Sequence, residues 1–121
     1  MKPKLHIIQL GKIEQQEILD EGAGLFASED ATLSADKHGE LLTATVATWL
    51  TKTAITVFVT WLTKRMETNR IEHEVVMELP NGSKIRSTCV ITTRDIKKAT
   101  DEVLTQLNNE LAKYGADNIS D

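Results

Sequence analysis

The chain has 121 residues, with 14 lysines and arginines against 18 aspartates and glutamates, for a formal net charge of −4. Forty per cent of the residues are hydrophobic and 26% charged, the composition of a globular chain rather than a disordered tail, and the length suits a single domain over residues 1–121. The acidic balance argues against nucleic acid as a partner, because no surplus of cations is present to displace counterions from phosphates. The lone cysteine, Cys89, leaves no internal disulfide and fits a reducing compartment.

A basic start is followed by only a six-residue semi-apolar run, Leu5 to Leu10, before charge resumes. No secretory leader is therefore expected, and the chain is placed in the cytoplasm or at the inner face of the membrane. Lys4 to Leu10 reads as a short strand stopped by Gly11. A short helix is expected from Lys12 to Asp20, with Ile13, Glu17 and Ile18 at workable spacings and Gly22 and Gly24 ending it. Residues 23–39, rich in Ser, Asp, Glu and Gly, read as a loop.

Leu41 to Leu62 holds 14 hydrophobic residues, seven threonines and Lys52, with no acid, Gly or Pro. On a helix, Thr45, Thr48, Lys52, Thr56, Thr60 and Thr63 form a polar stripe. Val46, Leu50, Ala54, Val57, Phe58 and Trp61 form the opposed apolar one. A strand is the rival reading, since Thr, Val, Ile and Trp favour strands. More than 20 residues without a turn signal are long for a strand, so a helix over residues 41–66 is expected. Thr48-Trp49-Leu50-Thr51-Lys52 recurs as Thr60-Trp61-Leu62-Thr63-Lys64, an echo too short to declare a repeat.

Residues 71–92 form the clearest element. Leu79-Pro80-Asn81-Gly82-Ser83 is a hairpin loop in which Pro80 pre-sets a corner and Gly82 supplies a positive φ. A three-residue loop pairs positions whose numbers sum to 162, setting Met77 against Ile85, Ile71 against Ile91 and Glu78 against Lys84. A two-residue loop would set Ile85 against Glu78 and loses on register. Thr93 then caps a last helix over residues 94–114, with Ile96, Ala99, Val103, Leu107, Leu111 and Tyr114 at three- and four-residue steps and Gly115 as its stop. Residues 116–121 read as a frayed acidic tail. The fold class is α+β: a small antiparallel sheet of the N-terminal strand plus the hairpin, with the long and C-terminal helices against it.

Little here carries chemistry. The hairpin register sets His73 opposite Cys89, but structural zinc needs four ligands and catalytic zinc three, and no others stand at conventional spacing. Cys89 as a nucleophile needs a base and an orienting group, and the pattern puts both it and His73 on the covered face. No phosphate-cradling glycine loop is present. No cofactor, metal or catalytic residue is assigned, and a non-enzyme is expected.

Physical interest centres on residues 41–66. As one helix, 22 residues would reach about 33 Å, enough to cross a bilayer core. The nine Leu, Ile, Val and Phe residues gain about 3–5 kcal/mol on insertion, against about 3 kcal/mol for Lys52, so one isolated copy is near neutral. Such a helix needs covering, which predicts self-association through Val46, Trp49, Leu50, Lys52, Ala54, Val57, Phe58, Trp61 and Leu62. Lys64, Arg65 and Arg70 follow it as an interfacial basic cluster that would keep the hairpin and last helix cytoplasmic.

The run from Val59 to Leu107 joins a helix closing on Val59-Thr60-Trp61-Leu62-Thr63-Lys64-Arg65 to the Val75–Ile85 hairpin and a short acidic-capped helix. Over about residues 41–111 this pattern resembles the effector-associated constant component family, small proteins of bacterial conflict systems encoded beside caspase-like or trypsin-like peptidases. The chain has Asn81 where that family usually has Asp, and many Thr where it has Ala. The resemblance implies no catalytic residues. It implies a non-enzymatic defence component acting by self-association, partnered with a peptidase or sensor, with conditional membrane insertion of helix 41–66. The alternatives are a constitutively soluble oligomeric adaptor and a small acidic inhibitor from a mobile element.

Overall fold

The computed structural model describes residues 2–29 and 44–120. Their elements, in chain order, are β1 (Lys4–Leu10), α1 (Lys12–Gly22), β2 (Ala27–Glu29), β3 (Ala44–Trp49), α2 (Lys52–Arg65), β4 (Ile71–Glu78), β5 (Lys84–Ile91) and α3 (Ile96–Lys113). The strands form one antiparallel sheet in the order β2-β3-β1-β4-β5. The class is α+β, with β1 beside the hairpin as expected, and with β3 and β2 extending the sheet on its other side.

The hairpin register follows its loop. Ile71 pairs with Ile91, Met77 with Ile85 and Glu78 with Lys84. Gly82 sits at φ +91°, and the turn closes through Gly82 N–H donating to the Leu79 carbonyl at 2.9 Å. Alternation then sorts the sheet: Leu5, Ile7, Val46, Val75, Met77, Cys89 and Ile91 are fully buried on the face that the helices cover. On that face α3 packs against β5, α1 against β3, and α2 lies between α1 and α3.

The single helix over residues 41–66 does not form. Its described part divides into strand β3 and the 14-residue helix α2. Residues 41–43 lie outside the described residues. Two local facts decide the break. The β-branched run Thr45-Val46 pairs between β1 and β2, putting Val46 opposite Ile7. Thr51 then caps α2, its hydroxyl accepting from Ala54 N–H at 3.1 Å, so the helix starts where the strand's last side chain ends. Inside α2 the threonines bond back to their own helix: Thr56 to the Lys52 carbonyl at 2.9 Å and Thr60 to the Thr56 carbonyl at 2.8 Å.

Four smaller corrections follow. Residues 23–29 are not all loop, because Ala27–Glu29 adds β2 to the sheet edge; residues 30–39 of that expected loop lie outside the described residues. Helix α1 runs to Gly22, and Ala23 rather than a glycine takes the left-handed cap at φ 49°. Asp95, not Thr93, caps α3, accepting from Lys98 N–H at 3.0 Å. The tail does not fray along its length: Gly115 turns the chain at φ +70°, Ile119 is buried, and Ile119 N–H donates to Asn108 Oδ1 at 2.8 Å.

Candidate functional site

The seam between α1 and α2 holds a cluster of ion pairs and hydrogen bonds. Trp61 is buried at the end of α2, its indole N–H donating to Glu17 Oε1 at 3.1 Å. The Arg65 guanidinium lies 5.2 Å from the Trp61 ring centre and reaches Glu14 at 2.9 Å and Glu17 at 3.0 Å. Lys64 pairs with Glu21 at 2.7 Å, and Arg70 with Glu72 at 2.7 Å. All three members of the expected interfacial basic cluster are thus engaged by carboxylates of their own chain. A groove of about 690 Å³ opens here, lined by Glu17, Asp20, Glu21 and Glu67 against Lys64 and Arg65.

His73 lies beneath this seam. Its Nε2–H donates to the Ile8 carbonyl at 2.8 Å, and its ring meets Phe58 and Trp61 edge-on, with centres 6.0 and 5.6 Å away. Burial pushes its pKa down, and burial pushes the facing Cys89 thiol up to about 12. Both groups are therefore neutral near pH 7. A thiol held protonated is a poor nucleophile. Among the described residues no group of three side chains could hold a metal.

A second buried histidine was not singled out by sequence reasoning as a site. His6 is 2% exposed on the sheet face away from the helices; its Nδ1 lies 2.7 Å from Glu29 and its Nε2 2.9 Å from Glu78. Each carboxylate thus lies within hydrogen-bond distance of one of the two ring nitrogens. The imidazole on β1 thereby ties β2 to β4 across the middle of the sheet. Both partners are far from His6 in sequence, so no local motif announces the contact.

Of the residues expected on the association helix, Val46, Leu50, Ala54, Phe58, Trp61 and Leu62 are buried in the core, and Val57 packs against it. Lys52 is exposed at the start of α2. Trp49 is the exception among the large apolar ones, at 49% exposed. It ends β3 on the side opposite Val46, and Lys4 Nζ sits 5.5 Å from its ring centre. Beside it Leu25 is 39% exposed, and together with Lys2, Thr48 and Thr51 the two side chains line a groove of about 530 Å³. The Trp49 end of the sheet thus presents an apolar centre with lysines at its rim. Comparison with protein-family models, with curated proteins and with solved structures finds no match to this chain.

Proposed function

We propose that this protein is a small non-enzymatic component that works by protein association through its Trp49 end. The partner class is the one implied by the resemblance to effector-associated constant components, a peptidase or sensor of a bacterial defence system in the cytoplasm. The observation that carries the reading is the half-exposed indole of Trp49 beside Leu25 under a rim of lysines. Tryptophan is among the side chains most enriched at positions that dominate binding energy. The buried, protonated state of Cys89 and the packing role of His73 support a role without covalent chemistry.

Membrane insertion is not part of this proposal, because the cylinder that motivated it does not form. Helix α2 has 14 residues, about 21 Å, against a hydrocarbon core of about 30 Å. Among the described residues no helix is long and apolar enough to cross a membrane.

Calorimetric titration of the full chain against the peptidase or sensor encoded beside it tests the reading. Trp49→Ser should weaken binding by about tenfold or more, while Lys97→Ser on the exposed side of α3 should leave it unchanged. Absence of binding, or equal binding by Trp49→Ser, overturns it.

A further inference from the structure

We infer that the Trp49 groove also receives a second copy of this chain, docked head to tail through the acidic groove between α1 and α2. This rests on reading the Trp49 end as an association surface, and it names the surface that answers it. The groove around Trp49 is basic: Lys2 lines it, Lys4 lies over the indole, and Lys52 is exposed just beyond Thr51. The chain as a whole carries net charge −4, so this end is opposite in sign to the molecule around it.

The complementary surface is on the same protein. In the groove beside Trp61 four carboxylates face two cations. Glu17 and Glu21 are spent on Arg65 and Lys64, whereas Asp20 and Glu67 are exposed and make no ion pair among the described residues. Trp61 and Met66 lie buried beneath the groove, so the surface it offers to a partner is a charged one. The lysine rim around Trp49 therefore meets two exposed carboxylates that no cation of the described residues neutralises, Asp20 accepting only a neutral hydrogen bond to its side chain, from Gln16 Nε2 at 2.9 Å.

Lys52 opens α2 and Arg65 closes it, so the two surfaces stand about 20 Å apart along that helix. A symmetric dimer through two Trp49 ends would set lysines against lysines. Pairing unlike ends removes that repulsion and is heterologous, so it extends into a ring or a filament unless something caps it.

Sedimentation of the full chain, at rising concentration and at low and high salt, is the test. The wild type should grow beyond a dimer with concentration, and salt should shrink it. A head variant, Trp49→Ser with Lys52→Glu, and a tail variant, Asp20→Lys with Glu67→Lys, should each weaken association about thirtyfold. Mixed in equal amounts, the two variants should form a dimer and nothing larger, because each retains the surface the other lacks. Circular dichroism confirms that each is folded, and Lys2→Glu with Lys52→Glu replaces the head variant if the first does not fold. A wild type that stays monomeric, a tail variant that still dimerises alone, or a mixture that stays monomeric overturns the inference. If the wild type is monomeric yet binds its neighbour-encoded partner through Trp49, only this inference fails. If Trp49→Ser affects neither, the association reading fails with it.

Discussion

Trp49 and Trp61 stand in the same five-residue context, Thr-Trp-Leu-Thr-Lys, yet the first indole is 49% exposed and the second 3%. The first context runs off the end of β3 through the cap of α2, and the second lies wholly within α2. Identical neighbours in sequence thus meet different solvent because one copy straddles a change of backbone. The echo is not a structural repeat.

This difference predicts unequal consequences. In single-tryptophan variants, acrylamide should quench Trp49 efficiently and Trp61 weakly. Trp61→Ala should destabilise the fold by about 3–5 kcal/mol, since it removes a buried indole and the support of Arg65. Trp49→Ala should stay within about 1 kcal/mol. Urea unfolding followed by circular dichroism reads both values.

The contacts of His6 predict a non-additive result. His6→Ala leaves the Glu29 and Glu78 carboxylates without their donor and should cost about 2–4 kcal/mol. Adding Glu29→Gln and Glu78→Gln to His6→Leu should recover part of that loss, because an amide beside an apolar neighbour costs less than a carboxylate. Urea midpoints of the single and triple variants check the order.

Acid should loosen the fold through His73. Burial holds its folded pKa below 6.5, while Glu14 and Glu74 push it up and Arg65 pushes it down. The unfolded chain therefore binds the proton first as pH falls. Stability contributed by the neutral ring is present above 6.5 and declines from there down to the depressed folded value. His73→Gln should flatten the dependence of the thermal midpoint on pH across that window. Cys89 acts in the other direction: its thiol is held at about 12 against an ordinary 9.0, so stability should fall as pH rises above 9.

Two left-handed backbone positions should respond with opposite signs. Gly82 has φ +91° and open space around its Cα, so Gly82→Ala meets only the backbone penalty and should cost about 1 kcal/mol. Ala23 already bears that penalty at the end of α1, φ 49°, so Ala23→Gly should gain about 0.5–1 kcal/mol. Thermal unfolding of both variants against wild type reads the two signs.

The strand Lys4–Leu10, the hairpin and its pairing, and the apolar face of α3 from Ala99 to Leu111 were legible because each rests on short-range pattern, whereas Ile96 and Tyr114, expected on that same face, are exposed where the helix ends run past the sheet's cover. Alternation fixes a strand's face, a Pro-Asn-Gly turn sets a register, and a heptad-like stripe marks a helix. The stretch after residue 41 misled because Thr, Val and Trp satisfy strand and helix stripes alike. Its real break, at Thr51, is a capping bond to Ala54 that a run of seven threonines disguises. The Trp49 groove and the His6 contacts were not legible at all. Leu25, Lys2 and Trp49 meet only once β3 lies beside β1, and His6 reaches Glu29 and Glu78 from opposite sides of the chain.

By itself the sequence determined which faces of the first strand and the hairpin must leave water and, in the hairpin, which partner each residue would face, since both follow from side-chain periodicity and turn chemistry acting over a few positions. Only the tertiary structure decided which apolar residues would remain outside, Ile13, Tyr114 and Trp49 among them. Trp49 stays exposed because the strand that carries it must present Val46 to the core, and successive side chains of a strand in sequence order point to opposite sides.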